Sequence, residues 1–82
     1  MCKDHHLKTE QHYYERVESG MKDFELRKND RDFNAGDYLY LKETIDGVET
    51  GRQLSPRRIK YILHGGCYGL AVGYCILGLE QI

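Results

Sequence analysis

Tryptophan is absent, proline occurs once, at Pro56, and no apolar run approaches the ~20 residues of a membrane-spanning helix. The opening residues, Met1 to Lys8, carry Lys3, Asp4, His5 and His6 without an apolar stretch, so they do not read as a secretory signal. A soluble, cytoplasmic protein with no membrane association is expected. Cysteine is scarce: Cys2, Cys67 and Cys75 are odd in number and form no CxxC pair. That pattern argues against a disulfide framework and a four-ligand zinc site. Cys67 and Cys75 are expected as small, partly buried apolar residues. An excess of one charge is also missing. The net charge of −1 gives no whole-protein attraction to nucleic acid. Repeats, low-complexity tracts and linkers are absent. A chain of 82 residues buries only about 60–65% of its unfolded surface, which leaves room for one core and one domain over residues 1–82.

What is present is unevenly spread. Residues 1–51 hold eight Lys/Arg against twelve Asp/Glu, whereas residues 52–82 hold Arg52, Arg57, Arg58 and Lys60 against Glu80 alone. A local basic surface is compatible with the sequence even though a global one is not.

Residues 5–8 read as a short extended segment. Thr9 is placed to cap a helix, Glu10 to sit in its first turn near the positive end of the dipole, and Gly20 to end it. Tyr13, Tyr14 and Val17 form its apolar stripe, with Tyr13 and Tyr14 expected in the packing. The helix is predicted over Glu10 to Ser19. Asp23 to Lys28 alternates as a strand, with Phe24 and Leu26 on one face and Glu25 and Arg27 on the other. Phe24 and Phe33 are expected in the core. Asn29 to Asp37 is a polar loop, Tyr38 to Lys42 a second strand, and Asp46-Gly47 a hairpin signal. Arg57 to Leu63 and Tyr74 to Glu80 are further strands. The glycine-rich stretch His64-Gly65-Gly66-Cys67-Tyr68-Gly69 between them reads as a tight connection. One helix followed by four or five strands predicts an α+β fold. A small curved sheet closed on itself, plugged by the helix, is its economical form.

The densest polar segment runs from Lys22 to Arg31 and packs four cations and three acids. Lys22, Glu25 and Arg27 lie on or beside one strand face. Such a group can hold an anion, orient a base edge, or neutralise itself as a salt-bridge ladder.

Gly20-x-Lys22-x-x-Glu25-x-Arg27 resembles the GxKxxExR signature of ASCH domains in the PUA-like superfamily. The resemblance extends through His5-x-Leu7-Lys8, the run Phe24 to Phe33, Gly36-Asp37, Thr50-Gly51-Arg52, and Ile62 to Gly66 with Gly69-Leu70. Over residues 5–80 it is similar to a compact ASCH-like subfamily of bacteria and phages, DUF3850-like and catalogued as a domain of unknown function. The resemblance implies a small β-barrel of about five strands, an N-terminal helix beside an open cleft, and the signature residues at that cleft. It also implies association with RNA. Some ASCH members are ribonucleases or amidohydrolases on acetylated cytidine. Those amidohydrolases carry Thr where this chain has Glu25, so that nucleophile is missing here.

Single-stranded RNA asks for cations at phosphates, flat side chains for stacking and fixed groups for base edges. Lys8, Lys22, Arg27 and Arg31 suit phosphates, and Glu25 suits a base amino group or the positioning of Arg27. Asn29 belongs to the same polar run. Tyr40, on the strand face opposite Leu39 and Leu41, is a stacking candidate, as is Tyr38. Arg58, with Lys60 on one strand face, would extend a track from the cleft. A catalytic reading would draw on His5, His64 or Glu25 as base and Lys22 or Arg27 as electrostatic stabiliser. His5, His6, His12 and His64 lack metal-ligand spacing, so neither a metal nor a cofactor is expected. The expectation is an RNA-binding or nucleotide-binding module with Lys22, Glu25 and Arg27 open to a guest. The alternatives are a nucleic-acid-processing enzyme (a ribonuclease or modified-nucleoside hydrolase) and a protein-interaction module.

Overall fold

Alternation sets the first strand. In β1 (Asp4–Glu10), His5, Leu7 and Thr9 are buried while Asp4, His6 and Lys8 face water. The chain passes directly into α1 (Gln11–Glu18), two turns that bury Tyr14 and Val17. A computed structural model describes residues 2–82. The remaining elements are β2 (Phe24–Lys28), β3 (Tyr38–Ile45), β4 (Val48–Gln53), β5 (Arg57–His64) and β6 (Tyr74–Gln81). Among the described residues, one short helix and six strands make an α+β fold. β4 is the strand that sequence patterning missed, because all six of its residues are exposed and carry no apolar alternation. It follows from the Asp46-Gly47 turn, whose residues both take positive φ (50° and 82°), the conformation two-residue hairpins require.

The strands form one curled half-barrel sheet in the order β1-β3-β5-β6-β2, with β4 paired to β3. β1 runs parallel to β3, from Asp4 opposite Tyr38 to Glu10 opposite Thr44. The other neighbours are antiparallel. β1 and β2 end the path, and curling brings their free edges toward each other. The core lies inside the curl and is built from Leu7, Leu39, Leu41, Ile59, Cys75, Leu77 and Leu79, with Tyr14 and Val17 from the helix and Phe33 from the polar loop.

Several sequence expectations are corrected. Thr9 does not cap α1: Glu10 is the N-cap, without a side-chain bond to the helix. The Glu10 carboxylate instead accepts from the backbone N–H groups of Asp46 and Gly47 at 2.9 and 3.1 Å and from the Thr44 hydroxyl, clamping the β3–β4 turn. Gly20 does end the helix, at φ 85°. Phe24 and Leu26 are 45% and 56% exposed while Glu25 is only 3% exposed. Strand β2 is therefore turned over relative to its apolar pattern, because a salt-bridge cluster and not an apolar face fills the inside of this edge. Tyr13 is likewise exposed, one residue off the buried stripe. Cys67 is exposed and Cys75 buried. The glycine-rich connection is tight: a Cβ on Gly65 would lie 1.9 Å from the Ala71 carbonyl oxygen, so only glycine fits there.

Candidate functional site

The free edges of β1 and β2 bound a seam that no backbone ladder closes among the described residues. Side chains of β2 cross it. Arg27 donates from Nη2 to the Lys8 carbonyl at 2.9 Å and to the Thr9 hydroxyl at 2.8 Å. Its Nε donates to Glu25 Oε2 at 3.1 Å. Glu25 is the hub: Lys22 Nζ donates to Oε1 at 2.6 Å, and Thr9 donates to Oε2 at 3.3 Å. Farther along, Arg31 reaches the His6 carbonyl at 3.2 Å.

Lys22 and Arg27 thus already have Glu25 as counter-charge, which corrects the expectation that all three stand open to a guest. The ladder arises because Glu25 is buried and a buried carboxylate needs paired charges and donors. A hollow nevertheless lies beside them. A cleft of about 640 Å³ runs along the seam under α1, lined by Lys8, Arg16, Lys22, Arg27 and Lys28 against Glu10 and Glu25, with Tyr13, Phe24 and Leu26 as apolar wall. A second hollow of about 370 Å³ shares Lys8, Arg27 and Lys28 and adds His6 and Arg31. Lys22 Nζ sits 5.4 Å from the Tyr13 ring centre and 5.1 Å from that of Phe24, a cation between two aromatic faces. Among the described residues, Arg27 Nη1 has no hydrogen-bond partner and Lys28 enters no ion pair. Lys8 is loosely paired with Glu49 at 3.8 Å, exposed to water.

Lys8, Lys22, Glu25, Arg27 and Arg31 therefore share the seam. The other candidates lie elsewhere. His5 is buried with Nε2 2.9 Å from Asp37 Oδ2 and its ring 4.7 Å from Phe33. Asp37 also accepts from the N–H groups of Lys3 and Asn34. Burial pushes the Asp37 carboxyl up, but the His5 hydrogen bond and those two N–H groups outweigh it and hold it below its ordinary range. His64 lines a separate hollow with Asn29 and Tyr61. Asn29 accepts the Phe33 N–H and shapes the loop. Tyr40 is half-buried and stacks on His6 at 4.8 Å. Tyr38 is also half-buried. Arg58 is bonded to Glu80 at 2.6 Å on β5 and β6.

Sequence reasoning missed Thr9, Tyr13, Phe24 and Lys28 as cleft residues. For Thr9 a signal existed. It falls on the inward side of the His5-Leu7-Thr9 alternation, where a hydroxyl needs a polar partner. Tyr13 and Phe24 gave none, since exposed and buried aromatics look alike in sequence.

A family model described as "Domain of unknown function (DUF3850)" matches residues 4–79. The chain is also similar to the "Uncharacterized 12.9 kDa protein in GpA 3'region" of Escherichia phage P2, 42% identical over 57 residues, which are 70% of this chain and 52% of that relative. The chain spans about half the length of the curated relative it matches.

Proposed function

The chain belongs to the DUF3850 family, and from that premise we propose that it is an RNA-binding or nucleotide-binding module, ASCH-type and PUA-like, whose ligand enters the seam between β1 and β2. One observation carries the reading. The seam holds a cleft with more cations than acids and an apolar wall of Tyr13, Phe24 and Leu26. Cations for phosphate beside flat faces for bases are what single-stranded nucleic acid requires. The free Nη1 edge of Arg27 and the unpaired Lys28 are the first contacts offered to phosphate. Glu25 holds Arg27 and Lys22 at fixed positions and meets no phosphate itself.

A processing enzyme draws less support, because neither His5 nor His64 lines the cleft and Glu25 Oε2 already accepts from Arg27 and Thr9. The test is fluorescence anisotropy with a labelled single-stranded RNA over a salt series. Affinity is expected to fall with salt at a logarithmic slope of about −0.7 per phosphate neutralised. Arg27→Ala is expected to weaken binding and flatten that slope. Undiminished affinity in Arg27→Ala defeats the proposal.

A further inference from the structure

Turning β2 over has a second effect, on the outside of the sheet. The residues it expels, Phe24 and Leu26, lie in register with Gly78 and Ile76 of β6, which in turn oppose Tyr61 and Leu63 of β5. Lys28 lies opposite Tyr74 in the next row. Rows from three adjacent strands thus share one outer face. Tyr61 is 64% and Tyr74 44% exposed, and no helix covers this side, since α1 packs against β1 and β3. At Gly78 the face has no side chain, so Phe24 and Tyr61 stand about 10 Å apart at their backbones, two strand spacings, across a glycine floor. The Gly78 backbone does not demand glycine: its φ is not positive, and an added Cβ would meet its nearest atom at 3.5 Å.

The unpaired charge on this face has one sign: Asp32, which lines a hollow beside Lys60 and Tyr61, is paired with Lys3 at 3.5 Å. β2, β5 and β6 carry two acids, Glu25 turned inward and Glu80 bonded to Arg58. Lys28 and Lys60 enter no ion pair among the described residues. The Lys60 stem lies over Gly78, 3.8 Å from where its Cβ would be, which keeps that lysine on the outer face. An aromatic sheet face with unpaired lysines and no free acid complements a polyanion of flat rings. A second copy of the same face would meet those lysines with no acid to match them.

We infer that the outer face of β2, β6 and β5 is a base-stacking platform for single-stranded RNA, with Phe24, Tyr61 and Tyr74 as the stacking rings and Lys28 and Lys60 at the phosphates. This rests on the RNA reading of the seam and extends it, because Phe24 and Lys28 line the seam cleft and also stand on the platform. A strand leaving the cleft over the rim of β2 arrives on the aromatic rows.

The experiment compares two labelled probes of about a dozen nucleotides, oligoadenylate and an abasic strand with the same phosphates. Tyr61→Ala and Tyr74→Ala are each expected to weaken oligoadenylate binding about tenfold and to leave abasic binding unchanged. Tyr61→Phe keeps the ring and is expected to retain affinity. Both tyrosines are exposed, so truncation spares the core, and circular dichroism verifies folding. If Arg27→Ala lowers affinity but the tyrosine variants do not, the platform fails and the cleft stands. Equal losses on both probes overturn stacking. A parent protein that binds neither probe overturns both readings. A concentration-dependent dimer abolished by Tyr61→Lys assigns the face to a second copy and overturns the platform.

Discussion

Arg27 on β2 and Thr9 on β1 are joined across the seam by a 2.8 Å hydrogen bond from Nη2 to the hydroxyl, so a side chain closes a gap that the sheet leaves open. The guanidinium does this with several donors in a fixed fork, which an ammonium lacks. Arg27→Lys is therefore expected to keep the charge and still lose about 1–2 kcal/mol of stability. RNA affinity should fall several-fold. Urea denaturation read beside anisotropy checks both, and a Lys variant equal to the parent in both would deny the fork its role.

Glu25→Gln separates the hub's two roles. The amide keeps the shape but leaves Lys22 and Arg27 without a counter-charge at a buried position. Stability is expected to drop by about 2–3 kcal/mol. Low-salt affinity for RNA should rise and its salt dependence steepen, because two cations are released to the ligand. Unchanged affinity across the salt series would mean that these cations do not meet phosphate.

The inverted face of β2 makes a prediction opposite to its apolar pattern. Leu26→Ser is expected to stay within about 0.5 kcal/mol of the parent. Leu77→Ala, at a fully buried position opposite Glu25, should cost about 2–5 kcal/mol. Equal losses in urea melts would place Leu26 inside.

Acid should loosen the molecule at two carboxylates. Asp37 is held below its ordinary range by His5 and by the N–H groups of Lys3 and Asn34, against the opposing pull of burial. Glu10 is lowered by the Thr44 hydroxyl and the N–H groups of Gly47 and Asp46. A depressed folded-state value stabilises fully above the unfolded carboxyl value, about 4. That contribution is lost as pH falls through the folded value. Thermal melts should therefore be flat from neutrality to about pH 5 and decline below about pH 4. Asp37→Asn should cost about 3 kcal/mol at neutral pH and flatten the decline. A parent melt that does not change down to about pH 2 would contradict both assignments.

Two glycines should respond oppositely. Gly65→Ala drives a Cβ into the Ala71 carbonyl and should open the loop after β5, seen as faster amide exchange at Gly65 and Tyr74. Gly78→Ala has room for its methyl group and should leave exchange unchanged. Similar exchange in the two variants would refute the close approach.

Local signals were legible where one or two residues decide the conformation. Gly20 ends the helix, and Asp46-Gly47 makes the hairpin, because positive φ admits few residue types. The Glu25-Arg27 pair was legible as one strand face, since alternation has a period of two, with Lys22 at the strand entrance. Which face is inside was not legible. Alternation fixes which residues share a side, and an apolar pair such as Phe24 and Leu26 argues for inside only where the interior is apolar. Here the interior at the sheet edge is ionic. Capping is the local use of a threonine before a helix, whereas the Thr9 hydroxyl serves Arg27 and Glu25 from another element. Tyr40 and Arg58 fell off the site because their partners, His6 and Glu80, are chosen by sheet register.

The order of the strands bears on synthesis. β1 has to wait for β3 before it has a neighbour, and β2 has to wait for β6, which lies two strands beyond β4 in the chain. Pairings this distant in sequence slow folding. Neither wall of the cleft is anchored early, so a nascent chain still lacking β6 has no such cleft. Both walls of the cleft are in place only once β6 has been synthesised and paired.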